Sequence, residues 1–124
     1  MPLYTAITQE GAVSNETRSK IAEEITRIHT TVMKVPMNFV RVVFLSYPKG
    51  SGFTGGSAAP IAALNCVLRS GHTVQEKTAA LTQLWTMLQD LTGIATDHLA
   101  ISLQEISSSN AMEMGQIMPE VGHE

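Results

Sequence analysis

A chain of 124 residues with 44% hydrophobic content is long enough for one core that buries roughly two-thirds of its unfolded surface, and it needs no second domain. A formal charge of -3 and only six aromatic residues provide no basic stripe for phosphates, which argues against a nucleic-acid or membrane-surface partner. The single cysteine, Cys66, excludes an internal disulfide and a cysteine-based metal cluster; with no signal-like or spanning run, a reducing cytoplasm is the expected compartment.

Met1-Pro2 opens the chain, and Pro2 is followed by the β-prone run Leu3 to Thr8. Proline is a small second residue of the kind that methionine removal exposes, so the mature chain is expected to begin with a secondary amine at the lip of a strand. That amine is a base and a nucleophile; apolar surroundings lower its pKa from the ordinary ~7.7–8.0 towards neutrality, where general bases work best. Ser14 is placed to cap a helix whose apolar face is Ile21, Ile25, Ile28 and Val32. A Val- and Phe-rich strand is predicted from Asn38 to Ser46, then a glycine-rich loop from Pro48 to Ser57. Pro60 heads another apolar run, Ile61 to Leu68. Thr73-Val74-Gln75-Glu76 fits a capping box, Leu81, Leu84, Trp85, Leu88 and Leu91 form a stripe, and Gly93 is a natural stop. Leu99 to Leu103 is the fourth strand.

The order βαβ–βαβ divides the single domain into similar halves, 1–58 and 59–124. It predicts an α/β fold of two layers, α+β in arrangement, with a four-stranded mixed sheet and both helices on one face. The other face carries few charges. In the third strand Leu64, Cys66 and Leu68 point one way and Asn65, Val67 and Arg69 the other, and in the second Arg41 alternates with Val40 and Val42. A lightly charged open sheet invites association, so an oligomer is expected.

Three polar positions stand out. His29 lies inside the apolar stripe of the first helix, where it is either a core histidine bonded to backbone or a functional group. Arg69-Ser70-Gly71-His72 leads into the second helix at Thr73 and outlines an anion site of guanidinium, imidazole and helix N–H groups. A solvated turn is its alternative. Glu113 is read in a short helical stretch, Asn110 to Met114, among methionines, where it faces either water or a site.

With these residues in register, the chain resembles the tautomerase superfamily, and within it the branch of cis-3-chloroacrylic acid dehalogenase. Pro2 matches the family's amino-terminal proline, His29 its helix histidine, Phe53-Thr54-Gly55-Gly56 its Phe-x-Gly-Gly turn, and Arg69 the first of two substrate-clamping arginines. Glu113 matches the water-activating glutamate, and Pro119-Glu120-Val121-Gly122-His123-Glu124 is similar to the family's Pro-x-Pro-Gly-His-Glu ending. His72 stands where the family has its second arginine, and Ser102 where it has the tyrosine that assists the glutamate. Both departures weaken hydrolytic dehalogenation more than keto–enol tautomerisation, which needs one base, one cation for the carboxylate and a donor to the enolate oxygen. The resemblance implies a tautomerase/MIF-like homotrimer with sites near subunit boundaries, no metal or organic cofactor, and a small carboxylate substrate. It implies catalytic roles for Pro2, His29, Arg69 and Glu113, and substrate-binding roles for His72 and Ser102. Tautomerisation of a 2-oxo or unsaturated acid is the leading expectation, and hydration or dehalogenation of a cis-3-haloacrylate with Glu113 activating water is the alternative. A non-catalytic ferredoxin-like binding module is a third reading of the same element order.

Overall fold

A computed structural model describes residues 1–121 of the chain. The Gly122-His123-Glu124 part of the C-terminal motif lies outside the described residues. Strand β1 (Leu3–Gln9) buries Tyr4, Ala6 and Thr8 and turns Leu3, Thr5 and Ile7 to the opposite face. Helix α1 (Asn15–Met33) starts where the Ser14 hydroxyl accepts the Thr17 N–H at 3.1 Å, and it buries Ile21, Ile25, Ile28, His29 and Met33. Each isoleucine so buried contributes about 1.5–3 kcal/mol.

Strand β2 (Arg41–Tyr47) begins later than its hydrophobic pattern at Asn38 implies. Met37–Phe39 instead close a 3-10 turn in which Phe39 N–H donates to Pro36 C=O and Val40 N–H to Met37 C=O. The glycine-rich loop contains a small hairpin, β3 (Phe53–Thr54) and β4 (Ser57–Ala58), turned by Gly55 at φ 56° and Gly56 at φ 86°. Two successive left-handed residues make the type I′ turn whose twist suits a hairpin.

The second set of elements repeats the first. Strand β5 (Ala62–Arg69) leads to α2 (Val74–Thr92), where Thr73 and Glu76 form a reciprocal capping box and Gly93, at φ 69°, ends the helix. The α2 stripe is centred on Ala80, Leu84, Met87 and Leu88, with Trp85 and Leu91 at its margins. Strand β6 (Leu99–Ile106) runs past the expected end at Leu103. Glu113 is not helical: it belongs to a second hairpin, β7 (Met112–Glu113) and β8 (Gln116–Ile117), whose turn residues Met114 and Gly115 have φ 53° and 78°. The glycine at the second turn position, as in the first hairpin, favours this conformation over one helical turn.

The sheet order is β2-β1-β5-β6, with parallel pairs β1/β2 and β5/β6 and an antiparallel join between β1 and β5. Both helices pack with Tyr4, Ala6, Leu64 and Cys66 in one core on one face of this mixed sheet. The opposite face leaves Leu3, Val43 and Leu45 exposed. Among the described residues no helix is long and apolar enough to cross a membrane.

Candidate active site at the start of the first strand

Pro2 is fully buried immediately before β1, and its carbonyl accepts the Arg41 N–H at 3.1 Å. The parallel register that pairs Leu3 with Arg41 therefore fixes the end of the chain against β2. One residue further out, the Met1 amine contacts Glu113 Oε1. The Arg41 guanidinium donates to the same oxygen at 3.1 Å and to Phe39 C=O at 3.2 Å. Glu113 is 8% exposed rather than facing water, and its Oε2 is buried with no hydrogen-bond partner among the described residues. Met1, Leu3, Arg41, Met112, Glu113 and Met114 line a cleft of about 310 Å³ here.

Burial, then the guanidinium groups of Arg41 and Arg69, lower the pKa of the Met1 amine to about 6, against a smaller opposite pull from Cys66. An amine so placed is largely a free base at neutral pH. His29, on the inner face of α1, is fully buried, and its Nδ1 meets the Tyr4 hydroxyl at 2.8 Å. Burial, the His72 ring and the terminal amine bring its pKa down to about 4, so the ring is neutral.

Arg69 ends β5 and is 2% exposed, although strand alternation would turn it away from the core. The C-terminal segment covers it: its guanidinium donates to Pro119 C=O at 2.5 Å. Gly71 lies under the same segment at φ 122°, where an added Cβ would come within 3.2 Å of the Val121 side chain. His72 is also buried, with Nδ1 3.8 Å from Glu76 Oε1 at the α2 N-terminus. Arg69 and His72 are thus seated at the strand-to-helix junction, where helix N–H groups favour anions, although Glu76 already supplies one carboxylate there.

Pro2, His29, Arg69, His72 and Glu113 accordingly gather around the start of β1, linked by these contacts and by the mutual influence of their charges. Ser102 does not join them. It is exposed on the open sheet face, and its hydroxyl donates to Asn65 Oδ1 at 2.7 Å across the β5/β6 pair. Arg41 is a site residue that the sequence reading treats only as an alternating strand residue. Its signal is its place at the first position of the strand running parallel to β1, beside Leu3. Among the described residues no three His, Cys, Asp or Glu side chains converge as metal ligands.

The sequence pattern of a family described as "putative oxalocrotonate tautomerase enzyme" matches residues 1–124. Among curated proteins none matches. The solved structure of native Ps01740 is 32% identical, covering 90% of this chain and 99% of that one, with a TM-score of 0.87. N1, a member of the cis-3-chloroacrylic acid dehalogenase family, is 29% identical over 97% of this chain and 85% of its own, with a TM-score of 0.92. A fused 4-OT symmetric trimer, 16% identical over 98% of this chain and 99% of its own, shares the fold at a TM-score of 0.87.

Proposed function

Because the chain belongs to the family of putative oxalocrotonate tautomerase enzymes, we propose that it is a cofactor-independent keto–enol tautomerase in which the amine of Pro2, freed by loss of Met1, acts as the acid/base. The observation that carries this reading is the convergence of a buried Pro2 next to the chain end with two guanidinium groups, one carboxylate and a neutral histidine. Pro2 takes a proton from the carbon beside a substrate carbonyl, Arg69 holds the substrate carboxylate, and His29 donates to the oxygen on which charge develops. Arg41 holds Glu113, and in the chain that keeps Met1 it helps lower the pKa of the Met1 amine. The substrate is a small 2-oxo or unsaturated carboxylate.

The enzyme works as a homotrimer whose open sheet faces cover one another. Exposed Val43 and Leu45 on that face support association, and it brings Ser102 towards a neighbouring subunit's site.

A second reading is favoured by one observation. Glu113 Oε2 is buried without a hydrogen-bond partner among the described residues while Oε1 is occupied, which suits a carboxylate that takes a proton from water. This supports hydration or dehalogenation of a cis-3-haloacrylate; N1 belongs to a family named for dehalogenation of cis-3-chloroacrylic acid.

The test is an enolisable 2-oxo acid offered to protein shown by intact mass to lack Met1, beside protein that retains it. Turnover by the first and at least a hundredfold less by the second, about 2.7 kcal/mol of barrier, is expected. Equal rates remove the amine from the mechanism. A faster reaction on cis-3-haloacrylate than on any 2-oxo acid favours the second reading.

A further inference from the structure

Three buried side chains form a connected set in which only His29 has so far been given a task. The Tyr4 hydroxyl meets His29 Nδ1 at 2.8 Å, the Cys66 thiol is its neighbour in the same core, and all three residues are inaccessible to solvent. The Tyr4 and His29 rings meet edge to face, 5.5 Å between centroids, which restricts rotation of the imidazole. At the far end of the set, His29 Nε2 is buried and has no hydrogen-bond partner among the described residues.

The single Tyr4 hydroxyl proton decides the histidine tautomer. When the hydroxyl donates to Nδ1, the thiol donates to the phenol oxygen and the ring proton resides on Nε2. In the reverse arrangement Nδ1–H donates to the phenol oxygen, the hydroxyl donates to sulfur, and Nε2 is a bare acceptor. The first arrangement joins the strongest donor to the strongest acceptor, whereas the second points that donor at a thiol, which accepts weakly. Burial pushes the Cys66 thiol up to about 12, so it stays a protonated thiol and no thiolate competes with Nδ1 for the hydroxyl proton.

We propose that Tyr4, backed by the Cys66 thiol, is a positioning residue that locks His29 as the Nε2–H tautomer, leaving that N–H as a fixed, uncharged donor to the oxygen that gains charge during enolisation. The identity of that oxygen rests on the tautomerase reading above, while the tautomer is a property of the ligand-free protein. A donor that needs no protonation works throughout the pH range in which the amine is a base.

Long-range 1H–15N spectra of histidine-labelled, ligand-free protein read the tautomer directly. Nδ1 unprotonated and Nε2 protonated is the expected result; a proton on Nδ1 overturns the proposal. The chain has two tyrosines, Tyr4 and Tyr47, and replacing both with 3-fluorotyrosine makes the phenol a better donor with almost no change of shape. The Nδ1 resonance should then move towards its protonated position, and no movement, or the opposite one, also overturns the proposal. In Tyr4→Phe the unique tautomer should be lost, with kcat down about tenfold and KM within about twofold. In a His29→Gln background, whose amide N–H needs no tautomer, the same change should alter kcat less than about twofold. Equal losses in both backgrounds make Tyr4 a packing residue only. The expected tautomer with no tautomerase activity in any variant fails the functional reading and the role towards the enolate oxygen, but not the lock on the ring.

Discussion

Removing Arg69 tests carboxylate recognition at one side chain. Arg69→Ala takes away a charge-assisted contact of about 1.5–3 kcal/mol, so kcat/KM for a 2-oxo carboxylate should fall by one to two decades while an analogue without the carboxylate changes far less. Equal slowing of both substrates means that the guanidinium serves mainly to hold the Pro119 segment in place. His29 makes a separate claim through stability. Burial holds its pKa at about 4 in the fold against the ordinary 6.5 of a solvated imidazole, so below pH 6.5 the unfolded chain takes up a proton that the folded chain refuses. Stability present at neutral pH is therefore lost as pH falls from about 6.5 to 4, by about 3 kcal/mol in all. Urea unfolding at pH 7 and pH 4.5 should show most of this loss in the wild type and much less in His29→Gln; the same loss in both assigns it to other groups. Pro2, His29 and Arg69 were legible in the sequence because each breaks a local pattern: a proline at an end, an imidazole in an apolar stripe, a guanidinium against a helix start. Arg41 breaks none, since a charge alternating with valines is what any strand with one wet face shows.

The hairpin β7/β8 delivers Glu113, and its turn holds a conformational strain. Met114 adopts φ 53° where the first hairpin has Gly55, and a left-handed residue with a Cβ costs roughly 1–2 kcal/mol, offset in part by the extra freedom glycine gives the unfolded chain. Met114→Gly should therefore stabilise the protein by about 0.5–1 kcal/mol in chemical denaturation. A destabilisation means that the methionine side chain contributes more at the cleft rim than its backbone costs. Neither two-residue strand is long enough to show a period, which is why the segment was legible only as a short helical stretch. Comparison of Met114-Gly115 with Gly55-Gly56 was the available clue. The two helices, by contrast, were read to within a residue at their starts, because Ser14 and the Thr73/Glu76 box are local signals that tertiary packing does not override.

At the scale of the whole molecule, the open sheet face links the sequence to assembly. Leu45→Lys places a charge on the exposed face of the edge strand β2 and should shift the proposed trimer towards monomer in sedimentation at micromolar concentration; an unchanged trimer puts the interface elsewhere. Ser102 belongs to the same question. Its hydroxyl is tied to Asn65 on the open sheet face, so residue order alone did not show that any role proposed for it needs a neighbouring subunit. His72→Arg with Ser102→Tyr should raise turnover of cis-3-haloacrylate in a protein that still forms trimers, and each change alone should help less. No gain in a well-folded trimeric double variant means that other residues limit that reaction. The amine remains the centre of the account, and the most direct measurement of it is the pH dependence of kcat/KM for a 2-oxo acid, wild type beside Pro2→Ala, both shown by mass to lack Met1. The wild-type rate should rise with pH through an apparent pKa below the ordinary ~7.7–8.0 of an α-amine, and the limb should shift or disappear in Pro2→Ala. A profile and rates unchanged by the substitution would contradict the assignment of Pro2 as the base.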